Sequence, residues 1–420
     1  MSEAEELNRI LERDLPAAWR CLSPLGRDAA FPRGIVYQAG EARQANINAT
    51  IGQVTDGRGT PLPLPAIGHG LDFLDDKTAF LYSPIAGPAS LREAWRAREV
   101  RLASAQHIPT TLPVVGHGLT HGLSLVAALF ADAETDVVLT SPAWDNYDLI
   151  FSLHARARPV RYPFFRDGRF NVEGLADALA RVRSVAIVVL NFPGNPTGYQ
   201  PTTAEVQEIV AVLAAHPGPT VVVTDDAYQG YVYAEDRHPR SVFWDVCQAA
   251  DLDRLLPVKV DGATKELVFF SSRVAFLHQP ASTEAAEAAM ENKLKFLLRG
   301  TVGAASGPAL ALVDRALRDG ALEAQFSAVR DLLGLRWKTL GDGLATLPAS
   351  MVPYPFHGAF FALLQLSEGL CAEELRVRLL CEHSVGVIAF PEVNALRVAF
   401  CSLHNDDLPP LLDALRAVAG

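Results

Sequence analysis

The sequence predicts an α/β protein: a large domain built on a mostly parallel sheet with helices on both faces, then a smaller α+β domain. Three observations carry this. Between residues 110 and 275, short β-branched runs alternate with helical patterns, as crossover helices require between parallel strands. Past Asp331 the texture changes to a helix, two short apolar runs and a closing helix. The 420-residue length corresponds to two or three domains at roughly 150 residues each. The expected limits are 1–60 for an N-terminal arm with part of the small domain, 61–330 for the large domain and 331–420 for the small one.

The clearest strands are read at 136–140, 184–190, 220–224 and 267–271, all apolar runs bounded by turn residues. The best helix lies at 203–216, where Val206, Ile209, Val210 and Leu213 recur at helical spacing. Thr202 and Glu205 can close a capping box at its start, and Pro217-Gly218 stops it. A strongly apolar helix is expected at 120–131. Toward the end come a helix near 372–383 and runs at 386–390 and 396–402.

Composition excludes several classes. With 49% hydrophobic and 20% charged residues, the chain is neither disordered nor fibrous. Its formal charge of -11 argues against a nucleic-acid binder. No 18-residue apolar run is present, so no spanning helix and no membrane partner is expected. The five cysteines are scattered without C-x-x-C, and the first twenty residues are acidic, unlike a secretory signal. A cytoplasmic location is expected. Arginine carries most positive charge, since the only lysines are Lys77, Lys259, Lys265, Lys293, Lys295 and Lys338. Lysine chemistry therefore has few candidates.

Ligands of open α/β sheets sit at the carboxyl ends of strands, and four segments there are chemically unusual. Asn191-Phe192-Pro193-Gly194-Asn195-Pro196-Thr197-Gly198 is a rigid turn presenting Asn195. Asp225-Asp226-Ala227-Tyr228 places a carboxylate and a phenol at a strand end. Asp261-Gly262-Ala263-Thr264-Lys265 is followed eight residues later by Arg273. Gly116-His117-Gly118-Leu119-Thr120 runs into the apolar helix, whose N-terminus suits an anion.

Taken singly, each has an ordinary reading. Asn-Pro and Pro-Gly are common turn punctuation, and a lone Asp or Lys at a strand end is usually solvated or paired. His117 and His121 lack the third ligand of a metal site, so helix-start packing is expected and no metal. Gly116, Gly118 and Gly122 fall one residue off a dinucleotide fingerprint, which keeps a dehydrogenase among the alternatives.

The ordered set N-P-x-G, D-x-A-Y, T-K and an arginine eight residues on resembles the fold type I pyridoxal 5'-phosphate (PLP) enzymes. It is most similar to a divergent branch of the class I/II aminotransferases related to aspartate aminotransferase. Further likenesses are Asn48-Ala49-Thr50-Ile51-Gly52 to the substrate loop, Tyr82-Ser83-Pro84-Ile85-Ala86-Gly87 to the Y-x-P-x-x-G segment, Ser141-Pro142-Ala143-Trp144 to the cofactor-stacking loop, and Leu396-Arg397-Val398 to the carboxylate-binding strand. The resemblance implies the PLP-dependent transferase fold, with a seven-stranded sheet in the large, PLP-binding domain. It implies Lys265 as the catalytic, aldimine-forming lysine and Asp225 beside the pyridine nitrogen. Asn195 and Tyr228 would meet the ring oxygen, and Trp144 would stack on the ring. Gly118, Leu119, Thr120 and Arg273 would hold the phosphate, with Tyr82 reaching it from the neighbouring subunit of a homodimer with shared sites. Gly52, Asn195 and Arg397 would bind the substrate α-carboxylate. Arg299 lies where dicarboxylate-specific members carry an arginine from the partner subunit, or is a helix-end arginine. The chain departs from many relatives at Gly262, where they carry a phosphate-binding hydroxyl; Ser271 or Ser272 can substitute for it.

The implied function is a PLP-dependent aminotransferase working by a ping-pong aldimine mechanism. Its substrates would be an amino acid, with aspartate or glutamate considered, and a 2-oxo acid such as 2-oxoglutarate. The alternatives are a PLP-dependent lyase or decarboxylase on the same scaffold, and a PLP-sensing regulatory domain, which the short acidic N-terminus disfavours.

Overall fold

A computed structural model describes residues 3–14, 22, 34–68, 74, 81–280 and 283–419. The large sheet has seven strands: β1 (Val114–Gly116), β2 (Thr135–Ser141), β3 (Arg158–Pro163), β4 (Val185–Leu190), β5 (Thr220–Asp225), β6 (Leu255–Gly262) and β7 (Ala275–His278). They lie in the order β1-β7-β6-β5-β4-β2-β3. Only β7 runs antiparallel to its neighbours, β1 and β6. The central strand β4 is nearly all Val, Ile and Leu and β5 has a run of three valines, and β5 is buried along its whole length, as expected where both faces are covered.

The helices that matter below are α1 (Ala89–Leu102), α2 (Leu119–Phe130), α3 (Thr203–Ala215), α4 (Glu284–Thr301), α5 (Leu322–Leu344), α6 (Ala372–His383) and α7 (Leu408–Ala419). At the start of α3 the capping box forms: the Thr202 side chain accepts from the Glu205 backbone N–H, and the Glu205 carboxylate accepts from the Thr202 N–H. A second sheet of four strands, β8 (Met351–Pro353), β9 (Phe361–Leu366), β10 (Ile388–Phe390) and β11 (Ala395–Ala399), has the order β8-β9-β11-β10 and is antiparallel throughout. Its core includes Leu364, Leu379, Val398 and Leu415. The large sheet packs a separate core on each face, one around Leu123, Val260 and Phe276 and another around Leu175, Val188 and Ile209. Helix α5 serves both halves: Leu322, Phe326 and Leu333 join the large-sheet core, and Leu340 and Leu344 join the small one.

The strand expected at 267–271 does not form. The chain leaves β6 at Gly262, makes one short helix, Ala263–Glu266, and turns through Val268 at φ 51°. Leu267 and Val268 are apolar because they are buried in the core, not because they pair with a strand. The strand itself, β6, was hidden in the sequence because Pro257, Lys259 and Asp261 interrupt its apolar run. Lys259 and Asp261 are wholly buried and paired with each other. Helix α2 begins at Leu119, one residue earlier than expected.

Candidate active site

Sheet register assembles the site. Gly262, the last residue of β6, stands opposite Ala275, the first of β7, and Gly116, the last of β1, stands opposite Ala275 on the other side. That row brings together the start of α2, the turn holding Lys265 and the segment carrying Arg273. The glycines are required by close approach. A Cβ on Gly262 would lie 2.3 Å from the Val274 carbonyl oxygen, and one on Gly118 would lie 2.4 Å from the Arg273 guanidinium. Gly118 also has φ 81°, a conformation that favours glycine. Arg273 therefore lies on the N-terminus of α2, and it has no acidic partner among the described residues.

Next to this cradle, a pocket is lined by Leu119, Trp144, Asn191, Asn195, Asp225, Ala227, Tyr228 and Lys265. Trp144 follows the end of β2, Asn191 and Asn195 follow β4, and Asp225 ends β5, so successive parallel strands deliver their side chains to one place. Lys265 Nζ lies 5.6 Å from the centre of the Tyr228 ring. Burial pushes the Lys265 ammonium below its ordinary pKa; Asp225 opposes this and Arg273 reinforces it. Burial raises Asp225, while a hydrogen bond from Tyr147 and the Lys265 charge pull it back. The Tyr147 hydroxyl donates to Asp225 Oδ2 at 2.6 Å, and its ring meets Trp144 edge-on at 5.4 Å.

At the rim, Arg397 of β11 is 1% exposed. Its guanidinium lies 4.2 Å from the centre of the Phe361 ring, donates to Asn195 Oδ1 at 2.8 Å and to the Thr50 carbonyl at 2.7 Å. Its Nε is buried without an acceptor, and burial brings its pKa down to about 10. Gly52 packs on the same Phe361 ring, where a Cβ would approach to 2.6 Å.

Lys265, Asp225, Tyr228, Asn195, Trp144 and Leu119 thus meet in one pocket, with Gly118 and Arg273 beside it and Arg397 and Gly52 at its rim. Thr120 stands one residue into α2. Tyr82 and Arg299 are elsewhere: Tyr82 is fully solvent-exposed, and Arg299 is exposed on the last turn of α4. Ser271 is exposed, whereas Ser272 is buried and accepts from the Val274 N–H at 3.4 Å. His117 and His121 pack at the helix start, where the His117 N–H donates to His121 Nδ1 at 3.1 Å. Sequence reasoning missed Tyr147 and Asn191. Asn191 donates to the Asp225 carbonyl at 2.6 Å and accepts from the Asn195 N–H at 2.7 Å, tying two strand ends together. Tyr147 sits three residues after Trp144, a spacing that placed the two on one turn but gave no sign of its acid partner.

A carboxylate, a buried lysine and an amide thus meet in one pocket, beside an arginine over a helix N-terminus. The chain belongs to the class I and II aminotransferase family, whose pattern matches residues 45–415. It is 32% identical over 161 residues to the probable N-succinyldiaminopimelate aminotransferase DapC of Mycobacterium tuberculosis, covering 37% of this chain and 39% of that one. It is 24% identical over 234 residues to an aspartate aminotransferase of Bacillus subtilis, covering 54% and 57% of the two chains. These matches span well under two thirds of the relatives' own length. In fold, the chain resembles an aminotransferase from Anaerococcus prevotii (TM-score 0.79, 18% identity, 95% and 98% coverage). It also resembles the aromatic-amino-acid aminotransferase of Burkholderia pseudomallei, covalently bound to pyridoxal phosphate (TM-score 0.73, 20% identity, 95% and 100% coverage).

The residues present fit PLP, the family's cofactor. The cradle at Gly118 leaves backbone N–H groups of a helix start beneath an arginine without an acidic partner among the described residues, which suits a phosphate. Asp225 offers a buried carboxylate for a protonated ring nitrogen.

Proposed function

We propose that the protein is a PLP-dependent aminotransferase, moving an amino group between an amino acid and a 2-oxo acid such as 2-oxoglutarate. One observation carries the reading: a buried lysine biased toward its neutral amine shares a pocket with Asp225, Tyr228 and Asn195, under the fork of Arg397.

Bound there, PLP supplies an electron sink for a bond broken at the amino acid's α-carbon. Lys265 would carry it through Nζ, Asp225 would face its ring nitrogen, Asn195 and Tyr228 its ring oxygen, and Trp144 its flat face. Gly118, Leu119, Thr120 and Arg273 would hold its phosphate. The chain's own residues then divide the work. The Lys265 amine, whose ammonium form burial disfavours, is suited to take a proton at Nζ and return it to a neighbouring atom. Tyr147, donating to Asp225, favours the charged carboxylate against burial and fixes its direction. Arg397 offers a planar fork for the substrate α-carboxylate, which lysine could not reproduce, and Gly52 leaves room for the loop above it.

Tyr82 stands wholly exposed, and its hydroxyl would reach the phosphate of a second chain in a homodimer with shared sites. Arg299, also exposed, would read the distal carboxylate of an acidic substrate bound by that second chain, which makes aspartate and glutamate the donors to test first. Cys247, Cys371, Cys381 and Cys401 are free, in keeping with a cytoplasmic location.

The test is to record the visible spectrum of the purified protein, reduce it with borohydride and map the modified residue. A label on Lys265 is expected, and a label on any other lysine removes the site. Incubation with an amino donor alone should then leave pyridoxamine phosphate. Release of ammonia and pyruvate with PLP regenerated would instead make the protein a lyase.

A further inference from the structure

The turn that carries Lys265 is held from behind by a buried polar web that the proposed chemistry leaves unused. Glu266, the next residue, accepts a hydrogen bond from Arg98 of α1. The Tyr231 hydroxyl lies 3.2 Å from the carbonyl oxygens of both Lys265 and Glu266, to which it donates. Arg98 also meets Glu99 at 3.4 Å and Glu323 of α5 at 3.0 Å. Farther in, Lys259 of β6 pairs with Glu99 at 2.8 Å, with Asp261, and with Asp226 at 3.5 Å. Trp95 donates to Asp261, His278 of β7 faces it at 3.3 Å, and Ser241 donates to Asp226 at 2.6 Å. Apart from Glu323, all these charged groups are buried.

The web and the pocket interleave residue by residue. Strand β5 ends by giving Asp225 to the pocket, and the next residue, Asp226, goes to the web, just as the turn gives Lys265 to the pocket and Glu266 to the web. Two cations, Lys259 and Arg98, face four buried carboxyls, Glu99, Asp226, Asp261 and Glu266. Burial pushes Asp226 up to about 7 against the pull of Lys259 and Ser241. Burial raises Glu266 too, but its direct bond to Arg98, whose charge is permanent, pulls it back.

We propose that Arg98 and Glu266 are positioning residues for Lys265: their buried pair fixes the turn that presents the lysine, and its charge balance sets how readily the lysine amine gives up its proton. The proposal rests on Lys265 being the cofactor-bearing lysine, and the test separates the two. The borohydride label is mapped first in the PLP-loaded parent. The apparent pKa of its visible absorption is then compared with that of Glu266→Gln and Arg98→Gln. Glu266→Gln removes a negative charge from behind the turn and lowers the value. Arg98→Gln leaves unbalanced carboxyls and raises it. Each shift is expected to be about one pH unit, as for a charge on the order of 10 Å away at an effective dielectric of about 20. A purely structural role would not give shifts of opposite sign.

Glu323→Gln, at the partly exposed edge, should shift the value in the direction of Glu266→Gln by a smaller amount, and Arg98→Lys should restore the parent's value. These two variants decide the matter if either buried variant fails to fold. A parent without a label on Lys265 removes the underlying reading and the proposal with it. A labelled parent whose variants keep its apparent pKa, or all move one way, overturns the proposal alone.

Discussion

Lys259 and Lys265 lie six residues apart on one strand and the turn that follows it. Both are buried, yet their surroundings push them in opposite directions. Lys259 is enclosed by Glu99, Asp226 and Asp261 and held well above its ordinary pKa. Lys265 has burial and Arg273 driving it toward the neutral amine, with Asp225 as its one opposing charge. Burial alone therefore does not make a lysine nucleophilic; its counter-ions decide. A strand and the turn that follows it thus hold one buried lysine as an ammonium and bias the other toward the neutral amine.

The comparison is broken most directly at Lys265. Replacing it with alanine should cut turnover by at least about four orders of magnitude, in line with loss of a positioned base that is also the attachment point, and should abolish the borohydride label. Lys259→Met should instead keep the label wherever the protein folds. Its penalty is in stability, about 3–5 kcal/mol by urea denaturation, because three buried carboxyls lose their cation. A Lys259→Met protein that is fully stable would mean that the web is not anchored as described.

The pH dependence of the cofactor-free protein sharpens the contrast. The folded pKa of Lys265 lies below the unfolded value near 10.5. Between the two, the unfolded chain binds the extra proton, so this lysine makes stability rise with pH. Lys265→Met should therefore be more stable than the parent at pH 7, with the advantage shrinking toward pH 10.5. The folded pKa of Lys259 lies above 10.5, so its contribution is complete below that pH and is lost only as pH climbs through the folded value. Urea midpoints between pH 7 and 10 should therefore show the Lys265 slope and none from Lys259.

A smaller effect is expected at Tyr147→Phe. It removes a hydrogen bond to a charged group, about 1.5 kcal/mol, so PLP should dissociate roughly tenfold more readily, as followed by spectral titration. The smallest change in stability is at Arg299→Ala, within about 0.5 kcal/mol as for an exposed site. Its kcat/KM should nonetheless fall for aspartate and glutamate and stay constant for neutral donors. Equal activity on both classes would remove Arg299 from substrate reading.

How much of this was legible beforehand depended on where the polar residues fell. Asp225 stands out because it ends an apolar stretch and Asn195 because its turn follows one, where polar side chains signal ligand contact, whereas Lys265 is marked by its spacing from Arg273. Arg397 was found by resemblance, since an arginine inside a strand is otherwise ambiguous. Strand β6 escaped because Lys259 and Asp261 look solvent-facing in sequence, and only their mutual burial makes them strand interior. Leu267 and Val268 read as strand for the converse reason: a core-facing turn is as apolar as a sheet. The partnership of Tyr147 with Asp225 spans 78 residues, and no local pattern encodes it.

Helix α5 is shared property. Its 23 residues extend about 35 Å at 1.5 Å per residue, and buried Arg336 along it donates to the carbonyls of Thr55 and Cys401. Neither sheet's core can melt without stripping side chains from the same rod. Heat should therefore find a single breaking point in this protein, and damage to the C-terminal sheet should empty the cofactor pocket at the same temperature at which it unfolds the sheet.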